Sequence, residues 1–165
     1  MTVFWRNFTL FTDADLTKSA TAGILQQSSS RPFIMFFYLL GLGSNICPDD
    51  NIPQALQALS ALGRLCAVSP CVCTAPVGAT FHGDFKNQLA VLQSDLQPDP
   101  LKEQLQQIET RLGREPKNPS RRTKDRTIDI DILGYSDNEP DCRQITLSES
   151  YYQNIQQRWD QEINV

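Results

Sequence analysis

Histidine is nearly absent: His82 is the only one among 165 residues. A zinc centre built from side chains needs about four nitrogen or sulfur ligands, and the cysteines do not make up the shortfall. There are five, Cys47, Cys66, Cys71, Cys73 and Cys142, odd in number and scattered, which argues against a disulfide framework. They read as small, mostly buried thiols, a usage that fits a reducing cytoplasm. No apolar run reaches the length of a membrane span; residues 33 to 42 are strongly apolar but short, and read as a buried strand. The first residues carry Arg6, Asp13, Asp15 and Lys18 and no continuous apolar stretch, so no signal peptide is expected. Positive charge is not in surplus either. A net charge of −4 argues against a general nucleic-acid binder.

What remains is ordinary globular composition, 40% hydrophobic and 21% charged, in a chain long enough for one domain with a core. Positive charge is concentrated: residues 114 to 126 hold six of the 15 Lys and Arg residues. On an acidic protein such a cluster suggests a small anionic ligand; the alternative is a solvated charged loop. Residues 1–34 differ from the rest, because Gln26-Gln27-Ser28-Ser29-Ser30 resembles a linker and Met35 stands immediately before a strong strand. The expected division is an N-terminal extension over 1–34, either upstream of a natural start at Met35 or a short appendage, and one domain over 35–165.

Periodicity predicts the elements of that domain. A strand over Phe36 to Leu42 ends at Gly41-Leu42-Gly43-Ser44-Asn45. Asp49 or Asp50 is expected to cap a helix to about Leu62, with Ile52, Ala55, Leu56 and Leu59 on one face and Gly63 as its stop. A second strand is expected over Leu65 to Val72, a Pro- and Gly-containing loop over Thr74 to Asp84, and a third strand over Phe85 to Gln93. Pro98-Asp99-Pro100 opens a second helix with Leu101, Leu105, Ile108 and Leu112 at helical spacing. The last strand is Thr127 to Leu133, and a Gln- and Asn-rich, helix-like segment runs to Val165. The order βαββαβ is that of an α+β, ferredoxin-like fold, an antiparallel sheet with helices packed on one face.

The chemistry concentrates in Thr127-Ile128-Asp129-Ile130-Asp131-Ile132-Leu133. Strand alternation sends Ile128, Ile130 and Ile132 to one face and Asp129 and Asp131 to the other. Two carboxylates on one face repel unless something positive sits between them. They can meet one magnesium, bracket two, or pair with arginines, and Arg126 stands immediately upstream. Carboxylates for a divalent cation beside arginines for phosphate are the ingredients of a magnesium-nucleotide site. Glu109 and Gln106 on the preceding helix strengthen that reading. Phe85 and Asn87, two apart on a strand, offer an aromatic face beside an amide, suited to a flat polar heterocycle; the alternative is Phe85 as a core residue and Asn87 in a turn.

Gly43-Ser44-Asn45, the Thr74 to Gly78 loop, Phe85-x-Asn87, Gln106-x-x-Glu109, Gly113-Arg114 and Arg126-Thr127-Ile128-Asp129-Ile130-Asp131-Ile132 occur in an order and spacing that resemble the 6-hydroxymethyl-7,8-dihydropterin pyrophosphokinase family, from about Met35 to about Leu147. The resemblance implies a ferredoxin-like fold and a folate-pathway reaction. Pyrophosphate passes from magnesium-ATP to the hydroxymethyl group of the dihydropterin, and AMP leaves. It implies that Asp129 and Asp131 hold two magnesium ions. Asn45, Thr74, Ala75, Pro76, Val77, Phe85 and Asn87 would line the pterin pocket, and Gln106, Glu109, Arg126, Ile132 and Thr146 would contact ATP as co-substrate. Arg114 would lie on a loop closing over it, so that Asp129, Asp131, Arg114 and Arg126 form the catalytic set. It implies small-molecule partners, neither nucleic acid nor membrane, and a monomer in the cytoplasm. Three departures from the family pattern stand out: Ala75-Pro76 replaces a Pro-Pro pair, the loop between Arg114 and Arg126 is longer and has no tryptophan, and the stretch Leu147 to Tyr152, where the family usually has a Pro-His pair, has no histidine and carries Glu149 near its place. A paralogue that binds pterin or nucleotide with little transfer, and a ligand-free interaction module, are the alternatives.

Overall fold

The computed structural model describes residues 34–76, 81–115 and 124–163. Residues 1–33 of the expected extension lie outside them, as do Val77, Gly78, Arg121 and Arg122. The elements run β1 (Phe36–Ser44), α1 (Pro48–Leu59), β2 (Arg64–Val68), β3 (Val72–Thr74), β4 (Phe85–Ser94), α2 (Pro98–Arg111), β5 (Asp129–Ser136), α3 (Glu139–Arg143) and α4 (Ser150–Ile163). The strands make one antiparallel sheet in the order β2-β4-β1-β5, with β3 also on β4. The α+β, ferredoxin-like architecture anticipated from periodicity is present.

Local deviations have local causes. The strand expected over Leu65 to Val72 is broken in two around Ser69-Pro70. Pro70 has no N–H to give a ladder. Ser69 makes the break inexpensive: its hydroxyl accepts the Leu89 N–H at 2.8 Å, its own N–H donates to the Leu89 carbonyl at 2.9 Å, and its carbonyl accepts from Gln88 Nε2 at 2.6 Å. Asp49 and Asp50 do not cap α1. Cys47 takes the cap position in the left-handed region, φ 43°, and the two acids fall in the first turn, where they still face the positive helix end. The reading of mostly buried thiols is also corrected: Cys47, Cys71 and Cys73 are exposed, Cys66 is half-buried, and of the five only Cys142 is buried.

Alternation on the central strands creates two hydrophobic layers. Tyr38, Leu40 and Leu42 of β1, Ala90 and Leu92 of β4, and Ile130 of β5 point to the side covered by α1 and α2, where they meet Ile52, Ala55, Leu59, Leu101, Leu105 and Ile108. Leu39, Leu89 and Val91 point the other way, onto Cys142 of α3, Leu147, and Tyr152, Ile155 and Trp159 of α4. The pair α1 and α2 on one face is the expected arrangement. The C-terminal segment adds a further helical layer on the opposite face, and that face carries Asp129 and Asp131.

Glutamine and arginine side chains hold this added layer in place. Gln156 Nε2 donates to the carbonyls of Arg143 (2.6 Å) and Ile145 (3.0 Å), and Gln153 Nε2 donates to the Leu147 carbonyl at 2.7 Å. The Arg143 guanidinium lies 4.5 Å from the centre of the Trp159 ring, within cation–π range. The amides that make the segment look polar are thus what satisfies the carbonyls between α3 and α4.

Candidate active site

The α4-facing side of the sheet holds two rows of cross-strand neighbours. In one, Asp131 stands opposite Gly41, which stands opposite Leu89; in the other, Asp129 stands opposite Gly43, which stands opposite Asn87. The Tyr152 ring lies directly on Gly41, so close that a Cβ there would fall inside it. A Cβ on Gly43 would reach 2.9 Å from Asn87 Oδ1. The first glycine therefore seats α4 on the sheet, and the second leaves a floor between Asp129 and Asn87. Above that floor is a cavity of about 230 Å³, lined by Gly43, Thr74, Ala75, Phe81, Phe85, Asn87, Arg126, Asp129, Asp131, Tyr151 and Tyr152. That is a small space by the standard of ligand pockets, suited to one flat heterocycle.

One end of the cavity is amide and aromatic. Asn87 is buried and donates to Thr74 Oγ1 at 2.7 Å. This bond fixes which way the amide faces and leaves its oxygen toward Gly43. Phe81 meets Phe85 edge to face at 5.1 Å.

The other end is charged. Asp129 accepts ion-paired hydrogen bonds from Arg114 on one oxygen and Arg126 on the other. Arg114 also reaches Glu109 at 2.6 Å, and Glu109 accepts the Ile130 N–H at 2.8 Å. Asp131 is exposed at the cavity, yet partial loss of water on its protein side, and next the Asp129 carboxylate, push its carboxyl above the usual range, with Arg114 and Arg126 pulling back and Glu149 adding to the rise. Burial raises the Tyr151 hydroxyl, with Glu149 second, and holds the buried Tyr152 hydroxyl well above its ordinary value.

The donor set fits magnesium. A carboxylate whose negative charge is disfavoured by a neighbouring carboxylate gains from a shared cation. Magnesium keeps several waters and takes one or two carboxylates plus substrate phosphates. Among the described residues no group of three or more His, Cys, Asp or Glu is placed to cage a metal.

Of the residues anticipated from sequence, the cavity gathers Thr74, Ala75, Phe85, Asn87, Arg126, Asp129 and Asp131. Asn45 lies beside it in a connecting role. Its side-chain oxygen accepts the Arg126 N–H at 2.7 Å, its amide donates to Asp125 Oδ1 at 2.6 Å, and its own N–H donates to the Arg126 carbonyl at 3.1 Å. Arg114 and Glu109 stand behind Asp129. Pro76, half-buried, follows the lining residues, and Val77 lies outside the described residues. Gln106 borders a separate shallow hollow on α2 with Glu103, Gln107, Thr110 and Arg111. Ile132 packs toward the α1 and α2 core, and Thr146 is exposed between α3 and α4.

Phe81, Tyr151 and Tyr152 line the cavity without having been anticipated. Tyr152, Ile155 and Trp159 follow helical spacing, a signal that would have put Tyr152 on the inner face of α4. Phe81 sits in an irregular loop, where no period points to it.

A family model described as 7,8-dihydro-6-hydroxymethylpterin-pyrophosphokinase matches residues 39–156. A 2-amino-4-hydroxy-6-hydroxymethyldihydropteridine pyrophosphokinase of Haemophilus influenzae is 35% identical over 99 residues, covering 58% of this chain and 60% of that protein. One of Pseudomonas aeruginosa is 39% identical over 97 residues, 57% and 58% of the two chains. One of Porphyromonas gingivalis is 36% identical over 104 residues, 62% and 71%. The chain spans about three fifths of the length of the first two.

Proposed function

The chain belongs to the 7,8-dihydro-6-hydroxymethylpterin-pyrophosphokinase family, and on that premise we propose that it transfers pyrophosphate from magnesium-ATP to 6-hydroxymethyl-7,8-dihydropterin, releasing AMP, in folate synthesis. The observation that carries this reading is the shared floor: an amide and aromatic end at Asn87 and Phe85, and a carboxylate and arginine end at Asp129, Asp131 and Arg126, open into one small cavity.

Each end has its task. Asn87, Thr74 and the backbone at Ala75 offer the polar edge that a pterin ring needs, and Phe85 offers a face to stack on. A ring held there directs its hydroxymethyl arm toward the aspartates. Asp129 and Asp131 are the residues that would hold magnesium, as two ions in the full reading. When bound, magnesium supplies neutralisation of the phosphate charge and a lowered pKa for a coordinated hydroxyl. Arg126 and Arg114 offer planar, permanently charged donors for the phosphate oxygens. Positioning and charge neutralisation make up most of what phosphoryl-type transfer asks of a protein. Gln106, Glu109, Ile132 and Thr146 enter as ATP contacts on the strength of the family resemblance, with the 77–80 and 116–123 segments outside the described residues. The same reading takes the chain as a monomer in a reducing cytoplasm, which its exposed free thiols suit. No helix among the described residues is long and apolar enough to cross a membrane.

One observation favours a second reading, binding with little transfer. Glu149 stands near the place where the family pattern has a histidine, and its charge adds to the rise at Asp131; near triphosphate it would repel. Incubation with magnesium-ATP and the dihydropterin separates the two. AMP formed at roughly 1 per second or more, and lost in an Asp129→Ala, Asp131→Ala variant, supports transfer. Tight ligand binding by calorimetry with AMP no higher than in that variant supports the second reading.

A further inference from the structure

Arg126 is held in two different ways at once. Its guanidinium pairs with Asp129 through Nη1. It also lies over two aromatic rings, 5.5 Å from the centre of Phe81 and 5.6 Å from the centre of Phe85, both inside the range of cation–π attraction. The rings are set at 87° to each other, so they form a corner, and the guanidinium sits in it. All four residues line the same cavity.

The corner is tied together through the backbone. The Arg126 N–H and carbonyl are both bonded to Asn45. Next to Phe81, the His82 N–H donates to Asp125 Oδ1 at 3.1 Å and His82 Nδ1 is 3.0 Å from Asp125 Oδ2. Asn45 Nδ2, which bonds Asp125, is also 3.5 Å from the Gly83 carbonyl. The segment carrying Phe81 is thus clipped to the residue that precedes Arg126.

We propose that Phe81 is a positioning residue for Arg126: with Phe85 it holds the guanidinium charge at the cavity through the two rings, independently of the Asp129 carboxylate. This rests on the transfer reading above. Asp129 cannot be the only support, because it is the carboxylate that a cation would claim, and each ion-paired N–H is a donor withheld from the nucleotide. An aromatic ring attracts the cation through its quadrupole and carries no carboxylate that a metal could claim. The rings keep Arg126 in the cavity when Asp129 turns to another partner. Phe81 therefore sets how well the chain binds the anionic end of its nucleotide, although it need not touch that nucleotide.

The test is a double-mutant cycle on Phe81→Leu and Arg126→Ala, with Phe81→Tyr as the conservative variant. Leucine keeps apolar bulk and removes the face; tyrosine keeps the face. Affinity for magnesium with the non-hydrolysable α,β-methylene-ATP is read by calorimetry. Urea unfolding of the metal-free protein gives a second reading. Phe81→Leu is expected to weaken nucleotide binding roughly fivefold, Phe81→Tyr to restore it, and the loss to vanish when Arg126 is already alanine. In unfolding, the two substitutions are expected to be non-additive. Additive losses in both measurements, or no rescue by tyrosine, overturn the proposal and leave Phe81 as packing for Phe85. A wild-type chain that binds the nucleotide but forms no AMP overturns the transfer reading instead, while the cycle still decides the Phe81–Arg126 link.

Discussion

Asp129 and Asp131 stand two residues apart and line the same cavity, yet their charges act in opposite directions on stability. Asp129 shares its carboxylate between two arginines that are mostly shielded from water. Asp129→Asn leaves those guanidiniums short of their common partner. It is expected to cost about 2–3 kcal/mol in urea unfolding at neutral pH. Asp131 has the reverse balance. Its folded carboxyl titrates above the ordinary 3.8, so the folded state holds the proton more readily than the unfolded chain. Its charge therefore opposes folding at pH 7, and that penalty fades as pH falls through the folded pKa toward 3.8. Asp131→Asn is expected to raise the unfolding midpoint of the metal-free protein at pH 7, with the gain gone near pH 3.5, and to remove AMP formation. Thermal unfolding across that pH range checks the sign: a lower midpoint at pH 7 would contradict it. Both aspartates were legible in the sequence, since alternation alone puts them on one face. Their difference was not, because it arises from Arg114, 15 residues before Asp129 along the chain, and from the surroundings of Asp131.

At the scale of elements, β1 shows why one glycine motif has two uses. Gly41 and Gly43 point to the same face, but Tyr152 covers only Gly41. Gly41→Ala would drive a methyl into the Tyr152 ring. It is expected to cost about 1–3 kcal/mol and, by pushing the first turn of α4 off the sheet, to weaken binding of the dihydropterin. Fluorescence titration of the pterin measures the second effect; unchanged affinity alongside the stability loss would show that α4 does not shape the cavity. Strands β1, β4 and β5 and helices α1 and α2 were legible because each repeats its apolar residues with the right period. The break between β2 and β3 was less so. Pro70 warns against a continuous strand, but that Ser69 would replace the ladder with its own hydroxyl depends on Leu89 and Gln88 lying opposite. The polar look of α4 concealed its inner face, since Gln153 and Gln156 serve carbonyls rather than solvent.

At the scale of all the described residues, the sheet separates support from chemistry. The α1 and α2 side is a dense apolar layer; the opposite side carries the cavity, closed at one end by α4. That division was half visible in sequence. The alternation of Ile128, Ile130 and Ile132 with Asp129 and Asp131 predicted a packed face and a chemical face. It did not predict that the C-terminal segment, which departs from the family pattern at Ser148-Glu149, would fold back over the chemical face and contribute Tyr151 and Tyr152. The C-terminal segment therefore walls the same cavity that Asp129 and Asp131 line. The central claim, transfer of pyrophosphate as a unit, is tested most directly by mass analysis of both products after incubation with magnesium-ATP and 6-hydroxymethyl-7,8-dihydropterin. AMP and a pterin carrying two phosphates are expected in equal amounts. ADP with a singly phosphorylated pterin, or an unmodified pterin after prolonged incubation, would contradict that claim.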